Sequence, residues 1–144
     1  MFLGEYEHTL DEKNRITLPA KFRESFSDGG VVTRGMDGCL YVYARDRWEQ
    51  LAEGQLGSLN LLSRDDRVIQ RYFFGSAGEF EPDKQGRIMV PAPLVKAAGL
   101  ERDVVVLGVY DHLEIWGRAA WREQLQTVEG SAEHVAERLA TRHD

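Results

Sequence analysis

Asp11 and Arg15 stand four residues apart, and Asp83 and Arg87 repeat the pair 72 residues later. A carboxylate at the head of a turn can accept the backbone N–H groups that follow it. An arginine just after the turn can clamp a phosphate, or reach guanine O6 and N7 with two parallel N–H donors. Two roles for Arg15 stay open from its residue type alone. One is a solvent-facing guanidinium that binds DNA; the other is an ion pair with Asp11 that only locks the turn. Asp11 itself is expected to be structural, because a carboxylate facing phosphate is repelled.

The pairs belong to longer copies, DEKNRITLPAKFRE from Asp11 and DKQGRIMVPAPLVK from Asp83. From Lys13 to Arg23 the first copy carries Lys13, Arg15, Lys21 and Arg23 and no acid. Lys13, Lys21 and Arg23 are candidate phosphate contacts, the alternative being an ordinary solvated face. The second copy offers Arg87 and Lys84, but Gln85 and Pro93 where the first has Lys13 and Lys21. It is less basic, and the first copy is expected to contribute more to DNA binding.

Other chemistries read poorly. His8, His112, His134 and His143 are scattered and Cys39 is the single cysteine, so no metal site is spelled out. There is no glycine-rich phosphate loop and no nucleophile elbow. Asp11 and Asp83 could in principle form a two-carboxylate hydrolase, but the flanking turn sequence of such enzymes is missing. The expectation is a protein that is not an enzyme and needs no cofactor or metal.

The 144 residues suffice for one compact domain or two small ones sharing a core, and 42% apolar with 29% charged residues argues against disorder. No apolar run is long enough for a membrane helix. The start MFLGEYEH lacks a basic end and a long apolar core and is not expected to be a signal peptide. A lone cysteine suits a reducing cytoplasm. The net charge of −6 weighs against a protein coated in nucleic acid, but a basic strip on an acidic body is compatible with DNA.

These residues need elements to hold them. Glu5 to Leu10 reads as a strand, Asp11 to Asn14 as a turn, and Arg15 to Leu18 as a strand with Ile16 and Leu18 on one face and Arg15 and Thr17 on the other. Gly86 stands where the first copy has Asn14; these two residue types tolerate a left-handed backbone best. Pro19 and Pro91 each open a short helix. Strands at 31–33 and 40–43 and a helix at 46–52 follow, mirrored by strands at 103–107 and 113–116 and a helix at 118–125. Trp121 answers Trp48 at an offset of 73, so one residue is inserted after the second motif. A connecting helix between the halves and a last helix at 131–142 complete the order. Trp48, Trp116, Trp121, Phe22, Phe26, Tyr72 and Phe73 read as core or subunit interface rather than base-stacking surfaces. The expected units are a first repeat at 5–47, a helical connection at 48–75, a second repeat at 76–119 and a C-terminal helical tail at 120–144.

The paired D-x-x-x-R, each with a following strand and a proline-initiated helix, resembles the SpoVT/AbrB family of DNA-binding domains. The start MFLGEYEHTLDEKNRITLPAKFR and the second copy extend the resemblance over roughly residues 1 to 125. It implies an α+β, β-rich fold. Two SpoVT/AbrB-like repeats would interleave about a pseudo-twofold axis into a swapped-hairpin small β-barrel with short peripheral helices. It further implies a sequence-specific transcriptional regulator, acting as a repressor on direct repeats upstream of its own division and cell-wall gene cluster. Implied partners are double-stranded DNA and copies of itself in a ring, in the cytoplasm and on the nucleoid, with no membrane. Arg15, Lys13, Lys21, Arg23, Arg87 and Lys84 would bind DNA, while Asp11, Asn14, Asp83 and Gly86 would shape the turns. The rival expectation is an AbrB-like protein-binding or antitoxin-type module, although both motif copies sit inside one chain, unlike a short antitoxin.

Overall fold

The computed structural model describes residues 1–142; His143 and Asp144, the end of the expected tail, lie outside the described residues. The elements run β1 (Phe2–Thr9), β2 (Arg15–Thr17), a 3-10 helix (Ala20–Phe26), β3 (Gly30–Arg34), β4 (Leu40–Ala44), α1 (Arg45–Glu53) and α2 (Arg64–Phe73). Then follow β5 (Gly78–Phe80), β6 (Arg87–Met89), α3 (Ala92–Ala97), β7 (Asp103–Tyr110), β8 (His112–Gly117) and α4 (Arg118–Arg142).

The fold is mixed α and β. Six strands pair antiparallel in the order β1-β7-β8-β4-β3-β5, and β2 and β6 form a separate two-stranded ribbon. No pairing joins β1 to β5 among the described residues, so the six strands do not close into a barrel. Strands from one half of the chain pair with strands from the other. β1 lies on β7, β5 on β3, and β2 on β6. In the ribbon Ile16 stands opposite Ile88, its own counterpart 72 residues on. At the β4–β8 seam Tyr41 faces Glu114, its counterpart at the later offset of 73.

Apolar burial explains why the halves stay together. Ile16, Leu18, Phe22 and Phe26 from the first copy share one core with Ile88, Val90 and Leu94 from the second. Phe2 packs edge-on to Phe22 at 5.2 Å and stacks on Phe26 at 5.4 Å. Each fully buried aliphatic contributes about 1.5–3 kcal/mol relative to exposure, and the two halves pool theirs in one cluster. A second cluster joins Cys39, Val105, Trp116 and Trp121. Trp48, Tyr72 and Phe73 are only half-buried: Phe73 stacks on Tyr41, Trp48 tilts against Tyr43, and Tyr72 meets Phe73 edge-on.

Several expectations need correction. The two terminal helices are one 25-residue helix, α4, so the peripheral helices are not all short. Gly130, between the two expected helices, costs a helix only about 1 kcal/mol, and the good helix formers on either side carry the turn through it. The helix expected at 46–52 is α1 and the expected connecting helix is α2, with turns between them. Ser63 caps α2 by accepting the Asp66 N–H at 3.3 Å. The element after Pro19 is a 3-10 helix. β1 begins at Phe2 and β7 runs on to Tyr110, because Gly4 faces Gly108 and lets the backbones approach; a Cβ on Gly108 would lie 2.5 Å from the Leu3 nitrogen.

The copies also match at their hairpin tips. Asp37 (φ 66°) and Tyr110 (φ 65°) are both left-handed, 73 residues apart. Two positions further on, Cys39 in the first copy answers Glu114's neighbour His112 in the second.

Candidate nucleic-acid interface

Each motif turn is built by one carboxylate. Oδ1 of Asp11 accepts the N–H groups of Lys13 (2.9 Å) and Arg15 (2.8 Å), and Oδ2 accepts Arg15 Nε at 2.8 Å. The second turn repeats this bond for bond: Asp83 Oδ1 takes Gln85 (2.9 Å) and Arg87 (2.9 Å), and Oδ2 takes Arg87 Nε at 2.7 Å. The backbone N–H of Arg15, with the arginine side chain and Lys13 N–H behind it, holds the Asp11 carboxyl below its ordinary pKa; Arg87 and Gln85 do the same for Asp83. Both carboxylates therefore hold their charge to lower pH than a free aspartate.

The turns need one left-handed residue each. Asn14 has φ 59° and Gly86 has φ 77°. Their carbonyls do not point idly: Asn14 O accepts Val90 N–H at 2.8 Å and Gly86 O accepts Leu18 N–H at 2.9 Å. Each turn is thus fastened to the strand end of the other copy.

On the ribbon, Ile16 and Ile88 face the core and their neighbours face out. Arg15 is paired across to Met89, and Thr17 to Arg87. The outer face therefore presents Arg15, Thr17, Arg87 and Met89, the last 58% exposed. The ion pair foreseen as one alternative is present, yet it engages only Nε of each arginine, and their Nη groups make no hydrogen bond among the described residues. The carboxylate fixes the guanidinium's direction and leaves its outer donors available. A two-stranded antiparallel ribbon fits the major groove of B-form DNA.

The other basic residues are less uniform. Lys13 and Lys84 are exposed in the two turns. Lys21 lies over the rings of Tyr6 (5.2 Å) and Phe22 (5.5 Å), which fixes it near β1. Arg23 donates Nε to Leu18 O at 3.2 Å and lies over the second copy's turn, where a Cβ on Gly86 would come within 2.4 Å of that Nε. Gly86 is required both by its φ and by this close approach, and Arg23 belongs spatially to the opposite turn. Strand alternation rightly put Thr17 beside Arg15 on the outer face; Met89 was missed, although the same alternation about Ile88 would have found it.

Away from the ribbon, His112 is held between Asp111 Oδ1 (2.8 Å) and Glu114 Oε2 (3.2 Å), against the rings of Tyr41 and Tyr43. Asp111 also receives Arg47 of α1, and Glu114 receives Trp116 Nε1. Among the described residues no group of three or more His, Cys, Asp or Glu side chains is arranged to hold a metal ion, and no helix is long and apolar enough to cross a membrane.

Comparison with known sequences brings the same two halves out. The family described as "MraZ protein, putative antitoxin-like" matches twice, over residues 1–72 and 73–143. A protein of Heliobacterium modesticaldum named transcriptional regulator MraZ is 48% identical over 96% of each chain. Proteins of the same name from Syntrophomonas wolfei and Lactiplantibacillus plantarum are each 45% identical, covering 96% of this chain and 96% and 98% of their own.

Proposed function

The chain belongs to the MraZ family, and from that premise we propose that it is a DNA-binding transcriptional regulator, not an enzyme, that reads DNA with the outer face of the β2–β6 ribbon. The observation that carries this reading is the paired anchoring of Arg15 and Arg87, each held by its turn carboxylate with its outer donors left available. Arg15 and Arg87 reach base edges; Lys13, Lys84 and Arg23 contact phosphates on either side; Asp11, Asn14, Asp83 and Gly86 hold the turns. Lys21 adds positive charge beside Tyr6. The strand exchange between the halves fits two repeats, with helical segments between and after them, interleaved about a pseudo-twofold axis in the swapped-hairpin manner.

In the finer reading the protein represses its own division and cell-wall gene cluster from direct repeats upstream of it, acting in the cytoplasm on the nucleoid. One chain's few basic groups bind weakly. A ring of copies presents the ribbon many times, and tandem operator sites turn later contacts into intramolecular ones. The acidic remainder of the surface repels DNA that lacks the repeats.

The test is fluorescence anisotropy on the DNA upstream of the gene, against scrambled DNA, across a salt series. Preference for the upstream DNA with steep salt dependence supports the reading. Equal affinity for both would overturn it. The "antitoxin-like" wording of the family description favours one second reading, a protein-binding module; a second protein co-purifying in fixed stoichiometry would support that instead.

A further inference from the structure

Beside the first motif, a cavity of about 370 Å³ opens at the start of α4. Arg102, Arg118 and Arg122 line it together with Glu101, Asp103 and Gly117. Hydrogen bonds tie its lining to the chain just before the motif. Leu10, the residue before Asp11, donates its N–H to Arg102 O at 2.7 Å, and Arg118 Nη2 contacts His8 O at 3.4 Å.

One of these arginines is short of acceptors. Arg118 Nε is fully buried and has no hydrogen-bond partner among the described residues. The closest carboxylate to its guanidinium, Asp103 Oδ1, stands 3.8 Å from Nη1, an ion pair but too far for a hydrogen bond. The corresponding arginine of the first half, Arg45, which likewise opens a helix, gives its Nε to Asp28 O at 2.9 Å. The same position is therefore satisfied in one half and left open in the other. Gly117 brings no side chain to cap the first turn of α4, so that turn's N–H groups add to the positive potential of the three arginines.

We propose that this cavity is a phosphate site that takes a phosphodiester group of the DNA backbone flanking the sequence read by Arg15. The inference rests on the reading of the chain as a DNA-binding protein. Arg102 and Arg122, both exposed, are the groups that meet the phosphate, and Arg118 orients behind them. Asp103 opposes the phosphate and limits its affinity.

The test uses the full chain and a duplex carrying one upstream repeat. Arg102→Ala and Arg122→Ala, each checked for an unchanged melting temperature, are expected to weaken binding about five- to tenfold near 0.1 M salt and to lower the salt slope by about one. The loss should be the same on upstream and scrambled DNA, since a phosphate contact carries no sequence. Asp103→Asn should tighten binding several-fold, an outcome that a purely structural role for these residues does not give. If Arg15→Ala abolishes binding while the Arg102, Arg122 and Asp103 variants match the wild type, the phosphate site is refuted and the regulator reading stands. If the wild type itself shows no preference for the upstream DNA, the regulator reading fails first. A melting-temperature rise with inorganic phosphate that Arg122→Ala removes, without any change in DNA affinity, would make this a free-phosphate site and refute the proposal too.

Discussion

The carbonyl of Asn14 accepts the N–H of Val90 at 2.8 Å, joining the first copy's turn to the strand end of the second. The reciprocal bond, Gly86 to Leu18, closes the exchange. Shape at each turn is therefore not a local matter: a distorted turn loosens the other copy's proline-initiated helix as well.

That coupling sets the first prediction. Gly86→Ala places a Cβ against Arg23 in a left-handed residue. It should lower stability by about 1–2 kcal/mol from backbone strain alone, with more from the clash. Asn14→Gly should be close to neutral. Thermal denaturation of the two variants checks this; equal effects at both positions would contradict it.

Arg15→Ala should weaken binding to the upstream DNA by about 1–3 kcal/mol and relax its sequence preference, as loss of a bidentate base contact does. Arg87→Ala should cost less, because its copy has Gln85 and Pro93 in place of Lys13 and Lys21. Anisotropy on the same duplex compares them. Lost binding in Arg87→Ala with an unaffected Arg15→Ala would reverse the assignment.

Protonation should matter at two ends of the pH scale. Burial pushes the His112 pKa down, but hydrogen bonds to Glu114 and Asp111 outweigh it and the net shift is upward. A raised pKa gives stability that is fully present below the unfolded value of 6.5 and is lost as pH rises through the folded value. Urea unfolding of the wild type should show that loss, and His112→Gln should flatten it. Asp11 and Asp83 have lowered values, so their contribution is present above 3.8 and disappears as pH falls through the folded values. Asp11→Asn should blunt the acid limb; an unchanged limb would mean the turn carboxylates are not linked to folding.

Trp121 is the one buried residue of α4, donating Nε1 to Glu5 Oε1 at 2.7 Å and packing on Trp116 at 5.4 Å. Trp121→Ala should cost about 3–5 kcal/mol. Ending the chain after Thr127 should leave the melting temperature nearly unchanged while lowering helical circular dichroism, since no described residue of the remaining turns is fully buried. A large loss of stability on truncation would show that the distal helix is held by contacts with another molecule.

The turns and their left-handed residues were legible in the sequence because the physics there is local: one carboxylate, two N–H groups, and a residue that tolerates positive φ. The inward face of the ribbon was legible from alternation at Ile16 and Ile88. Strand order was not, since pairing β1 with β7 spans about a hundred residues and depends on Gly4 and Gly108 letting two backbones meet. The continuity of α4 through Gly130 was hidden because a single glycine penalty is small against the propensity of its neighbours. Arg23 looked like part of its own copy's basic strip; only the exchange of strands puts it over Gly86.

Cys39 and His112 occupy equivalent places in the two halves and share Glu114 and Tyr41 as neighbours, yet their chemistry differs. The cysteine lies among valine and tryptophans; burial drives its thiol pKa up. The histidine sits in a web of carboxylates. Had the same shape been assembled from two identical chains, every change would have been written into both sites at once. A tandem gene escapes that constraint: one half can keep an inert interior while the other acquires a titrating group, and neither edit is imposed on its twin.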